Sequence, residues 1–379
     1  MLQQISSTWA SPCVDSVDVP KDHRLALAAS GAPTPKGSTT TLDDFTRCEY
    51  EPIRASHLSG DRRRPNGGIQ SRYAAGSVVG SRVCRMRRTV IAADSSPRVW
   101  FVTGAGRGIG RAIVEAALAA GDRVVGTVRG PAALEDLVER YPGRVDVEVL
   151  DVRDRTAIVE AVDRAVVAAG RIDIVVNNAG YGLVGMIEEV SEAEARSIID
   201  TNLLGALWVS QAVLPHLRRQ ESGHIVQIST VGGVGTMPGF GLYNAGKWAL
   251  EGFSEALAAE VAGMGIRVTI AELDGFDTDW SWSSMKFSAP IEAYDELRRS
   301  IFGTADVPWD ESGREPGAEA APSVAAAAIL AHVDSDDGPL RLLVGDNSPT
   351  YVAMALDARR QDYERDRRFA WPTADDDQP

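Results

Sequence analysis

The chain has 379 residues, 44% of them hydrophobic, with a formal net charge of −14 and three cysteines. Such a length and apolar content fit a globular protein with a real core, in one large domain or two small ones. The acidic balance argues against a nucleic-acid or anionic-membrane partner, and no apolar run approaches the ~18–20 residues that span a bilayer.

Residues 1–97 carry 13 Lys+Arg and 9 Asp+Glu, whereas 98–379 carry 26 and 44. Cys13, Cys48 and Cys84 all fall in the first segment, so the remainder has no disulfide or thiolate metal site to support it. The first segment is rich in Ser, Thr, Gly, Pro and Arg, without a sustained period of 2 or 3.6, and reads as a disordered or mis-assigned N-terminal extension. A regulatory tail or a transit peptide are the other readings, and Asp15, Asp18 and Asp22 weaken the second. Met86 would be a natural start for the folded part.

From residue 98 the pattern changes. Strands are expected at 98–103, 122–128, 144–152, 172–177, 224–230 and 266–273, with a last one near 339–346. Between them lie amphipathic helices at 111–121, 133–143, 155–170 and about 191–220, one within 242–263, and a last one ending near Arg368. Strands alternating with helices predict an α/β fold, a Rossmann-like doubly wound parallel sheet covered on both faces. The Val/Ile-rich strands suit burial on both sides. A single catalytic domain over 98–369 and a frayed tail over 370–379 follow.

Three local patterns carry chemistry. The first strand runs into Thr103-Gly104-Ala105-Gly106-Arg107-Gly108-Ile109-Gly110 and then a helix. Glycines there let the backbone approach a pyrophosphate, and the helix N-terminus offers free N–H groups. The spacing is T-G-x-x-x-G-x-G, not the G-x-G-x-x-G dinucleotide fingerprint. The second strand ends Thr127-Val128-Arg129, without the acid that would bind an NAD ribose. Arg129 and Arg107 suit a 2′-phosphate, so NADP(H) is expected ahead of NAD(H). Finally, Tyr243 and Lys247 stand at i and i+4 of a helix and share a face. At ~4–5 Å and an effective dielectric of ~20, the ammonium would favour the phenolate by roughly 3–4 kcal/mol. Lys247 is one of only four lysines against 39 Lys+Arg, which suggests that a compact ammonium is needed there.

With these motifs in this order the chain resembles the short-chain dehydrogenase/reductase family, strongly over about 98–280 and more loosely to about 369. The resemblance implies that Asp151-Val152 contacts adenine and that Asn177-Asn178-Ala179-Gly180 walls the cofactor. It also implies that Asn202 orders a water in a proton relay. The family usually has a serine thirteen residues before the tyrosine. Here Thr230 stands there, and Ser229 beside it should point to the other face of its strand. Where the family often reads Pro-Gly-Gly-Phe-x-Thr, this chain has Leu273-Asp274-Gly275-Phe276-Asp277-Thr278, keeping the threonine that contacts nicotinamide.

The implied machinery is Tyr243 as proton donor or acceptor, Lys247 tuning it, Thr230 orienting a carbonyl and Asn202 supporting the relay. A flap over about 276–320 would bring Phe276, Trp280, Trp282, Met285 and Phe287 over the pocket, facing Tyr181, Met237 and Phe240, a lining for a bulky apolar or aromatic ketone or alcohol. The resemblance further implies a homodimer or homotetramer, and a cytoplasmic location is expected. Two other readings are a non-catalytic NADP-binding regulator on the same fold and an epimerase or dehydratase that recycles its cofactor.

Overall fold

The computed structural model describes residues 96–281, 283–309 and 319–370. The expected extension lies outside these residues up to position 95, as do Trp282, residues 310–318 of the expected flap and nearly all of the expected tail.

Seven parallel strands form the central sheet: β1 (Val99–Thr103), β2 (Arg123–Val128), β3 (Val145–Val149), β4 (Ile174–Asn177), β6 (Gly223–Thr230), β7 (Ile266–Leu273) and β9 (Arg341–Val344). Their spatial order is β3-β2-β1-β4-β6-β7-β9. The chain therefore winds outward from β1 in one direction and from β4 in the other. Such a reversal opens a crevice beyond the C-terminal ends of the strands. Trp100 pairs with both Val124 and Ile174, which fixes the register on both sides of β1.

The alternation of side chains sorts the core into two layers. Trp100 and Val102 face one layer with Ile113, Val114 and Leu118 of helix α1 (Gly108–Ala119) and with Ala325, Ala326 and Ile329 of α8 (Pro322–Val333). Val99 and Phe101 face the other, with Ile158 and Val162 of α3 (Arg155–Ala169) and Val209, Val213 and Leu217 of α5 (Gly205–Gln220). Full burial of each such aliphatic side chain contributes about 1.5–3 kcal/mol. Helix α3 begins at Asp154, whose carboxylate accepts the Ala157 N–H at 3.0 Å, and ends at Gly170 with φ +79°. The short α2 (Glu135–Arg140) crosses from β2 to β3.

The expected single helix over 191–220 is interrupted. Helix α4 (Glu192–Ile199) starts with a Ser191–Glu194 capping box, then a π turn at Asp200–Leu204 joins it to α5. Glu192–Gln220 as a whole has the length and hydropathy of a bilayer span, against the expectation that no stretch would; the fold uses it to cover the sheet, with Val209, Val213 and Leu217 fully buried.

A second layer of short elements sits above the sheet. β5 (Leu183–Val184) pairs in parallel with β8 (Lys286–Phe287). The expected flap holds a helix, α7 (Asp295–Phe302), and its two ends meet where Phe276 bridges Ala320. Arg298, 2% exposed, fastens it by binding Glu189, Asp295 and the carbonyls of Ile291 and Ala305. The last two long helices are α6 (Gly241–Val261) and α9 (Ser348–Glu364), the latter ending a turn before the expected Arg368.

Candidate active site

The glycine loop connects β1 to α1 at the switch point. Gly104 has φ +65° and Gly108 φ +55°, values that a side chain would strain. Gly110 is required for space: a Cβ there would collide with Asn178 Nδ2 and the Gly104 carbonyl. Asn178 Nδ2 donates to the carbonyls of Thr103 (2.9 Å) and Gly104 (3.1 Å). Thr103 Oγ1 in turn accepts the N–H groups of Asn178 and Ala179, each at 3.0 Å. The loop is thus pinned to the end of β4, and Gly180 lies beside Asn202. Asn177 points the other way, donating to Ser210 Oγ at 3.1 Å.

Helix α1 has no side-chain cap at Arg107 and no acid in its first turn. Its opening N–H groups and dipole face the crevice, an arrangement suited to a phosphate. With the glycine cradle, this chain's residues fit a dinucleotide. Arg107 and Arg129 are both exposed. Asp151 is engaged by Arg153, whose Nε lies 3.0 Å from both carboxylate oxygens, and that hydrogen bonding holds its carboxyl below the usual range. Val152 is buried and fills the space that Gly205 leaves at the start of α5. Thr278 closes the loop from above, its methyl 3.6 Å from where a Gly108 Cβ would be. Thr278 Oγ1 also accepts the Trp280 N–H at 3.2 Å.

Helix α6 carries Tyr243 and Lys247 one turn apart, both buried. Tyr243 and Lys247 are 8% and 7% exposed. Burial pushes the Tyr243 phenol well above the usual tyrosine range, and its hydrogen bond with Thr230 opposes this. Lys247 Nζ donates to the Ile228 carbonyl at 2.7 Å; burial pushes it down to about 8 and Glu251 opposes. This reverses the direction expected for the phenol. The i, i+4 spacing shows the attraction of the ammonium, whereas desolvation arises only in the folded cluster. The ring of Tyr243 lies 5.2 Å from that of Trp280 and 6.2 Å from that of Phe240, and Leu183, Met285 and Phe302 belong to the same apolar cluster.

Thr230 ends β6 and caps the turn that follows, its Oγ1 accepting the Gly232 N–H at 3.3 Å. Ser229 points to the opposite side, donating to Glu251 Oε1 at 2.6 Å. Thr230 is therefore the hydroxyl beside Tyr243. Asn202 sits in the π turn, 2% exposed, and both ends of its amide are taken by the Tyr181 backbone, at 3.1 and 2.9 Å. It positions the segment after β4 directly. π turns of this kind often mark functional sites.

One departure noted in the sequence finds a structural role, and one residue the sequence did not single out joins the site. Asp274 accepts the N–H of Asn347 at 2.9 Å and that of Ser348, so the departure after β7 caps α9. Glu251 lies two helical turns beyond Tyr243, and an acid at that spacing was the available signal.

A family model described as short chain dehydrogenase matches residues 98–288. An oxidoreductase named BOA17 from Botryotinia fuckeliana is 39% identical over 278 residues, covering 73% of this chain and 99% of its own. The crystal structure of a short-chain dehydrogenase from Streptomyces avermitilis, 39% identical, superposes with a TM-score of 0.65 over 72% of this chain and 97% of that one. A short chain dehydrogenase from Burkholderia cenocepacia in complex with NADP is 25% identical, with a TM-score of 0.55 over 73% of this chain and 99% of its own. The chain belongs to the short-chain dehydrogenase/reductase family and is an NAD(P)-dependent oxidoreductase.

Proposed function

We propose that this protein is an NADP(H)-dependent oxidoreductase that interconverts a bulky apolar or aromatic ketone or aldehyde and the corresponding alcohol. The observation that carries the reading is a buried phenol, hydrogen-bonded to Thr230 at the end of β6 and sharing a helix face with Lys247, one strand beyond the β1/β4 switch point. When bound, a nicotinamide dinucleotide would supply hydride to the carbonyl carbon in reduction or take it from the alcohol carbon in oxidation.

The chain's own residues handle the proton and the geometry. Tyr243 gives its proton to the carbonyl oxygen in reduction and takes it back from the alcohol in oxidation. Thr230 donates to the same oxygen as charge develops on it. Lys247 supplies the positive charge, and Asn202 supports the relay by holding Tyr181 in place. Thr103, Gly104, Gly108, Ile109, Gly110, Asn178, Ala179, Gly180 and Thr278 would hold the dinucleotide, with Asp151 and Val152 at its adenine end. The aromatic cluster of Trp280, Phe240, Phe302 and Tyr181 excludes water and favours a bulky apolar substrate.

Arg107 and Arg129 support NADP(H) over NAD(H), since each can make a charge-assisted contact to a 2′-phosphate. Trp248 on α6 and Leu356 and Tyr363 on α9 are 40%, 51% and 56% exposed, which supports a homodimer or homotetramer. We place the enzyme in the cytoplasm.

The test is consumption of NADPH and of NADH against a panel of aromatic and alicyclic ketones. Faster consumption of NADPH is expected, and replacing both arginines, Arg107→Ala with Arg129→Ala, should narrow the preference by about tenfold or more. A faster reaction with NADH would overturn the cofactor preference, and no turnover across the panel would overturn the substrate class.

A further inference from the structure

Behind the Tyr243–Lys247 pair lies a buried acidic cluster that the reaction as described does not use. Helix α6 carries Tyr243, Lys247, Glu251 and Glu255 at successive intervals of four, so all four lie along one stripe. Glu251 is 4% exposed and Glu272, on β7, is fully buried. Arg341 on β9 serves them both, binding Glu251 Oε2 and approaching Glu272 Oε1 at 2.6 Å, and it reaches Glu255 Oε1 at 2.5 Å. One guanidinium thus faces three carboxylates. Glu272 Oε2 has no hydrogen-bond partner among the described residues, and burial raises the carboxyl's proton affinity while Arg341 opposes this.

The backbone is shaped around Glu251. Ser229 Oγ donates to its Oε1 at 2.6 Å, while the carbonyl of the preceding residue, Ile228, accepts the Lys247 ammonium at 2.7 Å. Neighbouring residues of β6 therefore hold the ammonium and the carboxylate. Gly233, in the turn that Thr230 caps, leaves room for the same oxygen: a Cβ there would collide with Glu251 Oε1 and lie 2.6 Å from Ser229 Oγ. The carboxylate is wedged between β6, the turn after it and α6. Moving it would disturb the seats of Lys247 and Thr230 together.

We propose that Glu251 is a positioning residue for the active site, its carboxylate fixed by Ser229 and Arg341 so as to supply the counter-charge that keeps the buried Lys247 an ammonium. The charged and titratable groups concerned are Tyr243, Glu251 and Glu255 on α6, Glu272 on β7 and Arg341 on β9. Among them Glu251 is the one that favours the charged form of Lys247 against burial. A Lys that lost this partner would go neutral at lower pH and would cease to favour a phenolate.

The inference rests on Lys247 belonging to the catalytic site, but its test needs neither substrate nor cofactor. With only four lysines in the chain, Lys247 can be followed by NMR of protein labelled at the lysine ε-carbon, its signal assigned by its loss in Lys247→Arg. In Glu251→Gln the titration midpoint of Lys247 should fall by about one pH unit or more. In Arg341→Gln, which removes the cation and leaves Glu251, it should rise. Glu255→Gln, altering the exposed and more distant carboxylate, should move it by less than about 0.3 unit. Where Glu251→Gln fails to fold, Ser229→Ala serves instead: it keeps every charge, frees the carboxylate to swing away, and should also lower the midpoint. An unmoved midpoint in folded Glu251→Gln, or in Ser229→Ala where that is the variant read, overturns the proposal. Full turnover in Tyr243→Phe would instead remove the catalytic assignment and leave this titration untouched, so the two failures are distinguishable.

Discussion

At the N-terminal ends of β6 and β7, His224, Thr269 and His332 form a hydrogen-bonded chain with steps of 2.8 and 2.9 Å. Arg267 donates to His224 Nδ1 at 3.0 Å, so that nitrogen is an acceptor and Nε2 carries the proton, which goes to Thr269 Oγ1. Thr269 donates onward to His332. Each group there has one partner set and one tautomer. At the C-terminal ends of the same strands lie Thr230, Tyr243, Lys247, Glu251 and Glu272, where a phenol and an ammonium are buried beside the crevice and one carboxylate oxygen has no hydrogen-bond partner among the described residues. The difference is between polar groups arranged to lock two strands to α8 and polar groups arranged to exchange protons. The first kind contributes stability; the second holds charge in unfavourable surroundings, as sites that do chemistry commonly do.

The largest effect is expected at the glycine cradle. Gly110→Ala would drive a methyl into Asn178 and the Gly104 carbonyl, both fixed by other hydrogen bonds. Dinucleotide binding should be lost, and stability should fall by about 1–3 kcal/mol; fluorescence titration with NADPH and chemical denaturation measure the two. Unaltered binding would show that the cradle is looser than it looks.

The lower end should reveal itself in acid. Burial, with Arg267 and His332 adding to it, holds His224 down to about 3. The unfolded chain therefore takes up a proton below about pH 6.5 that the folded chain refuses. Stability from this group is fully present above about pH 6.5 and is lost as pH falls toward 3, by up to about 1.4 kcal/mol per pH unit. Denaturation between pH 7 and pH 4 should show a shallower decline in His224→Gln than in the parent chain. Equal slopes would assign the acid sensitivity to the carboxylates instead.

A smaller change is expected from Asp274→Ala. It removes the acceptor at the start of α9 and should cost about 0.5–2 kcal/mol in thermal or chemical denaturation, with cofactor affinity little changed. A large loss of affinity would return Asp274 to the cofactor site.

The sheet, its doubly covered character and the glycine loop were legible in the sequence because each rests on a local rule. Val/Ile runs, the helical period and the steric freedom of glycine need no knowledge of distant residues. The α6 face that joins Tyr243 to Lys247 was legible for the same reason. What was hidden depends on partners far away in the chain. The cap that Asp274 gives to α9 and the grip of Arg341 on Glu251 span 73 and 90 residues respectively. The π turn at Asn202 leaves no mark on the apolar period. The pairing of β5 with β8 involves two residues on each side and carries no alternation to detect. The direction of the Tyr243 shift was misread because desolvation by Trp280, Phe240 and their neighbours is a property of the folded cluster, whereas the Lys247 spacing is visible in the chain.

The most direct measurement pairs two readings on Tyr243→Phe: NADPH binding by fluorescence, and NADPH consumption with whichever ketone of the panel the parent enzyme reduces. Binding should be unchanged within about twofold, while turnover should fall by about a thousandfold or more, as loss of the proton donor requires. Turnover near the parent's value would contradict the account, since the hydride would then be transferred without the buried phenol.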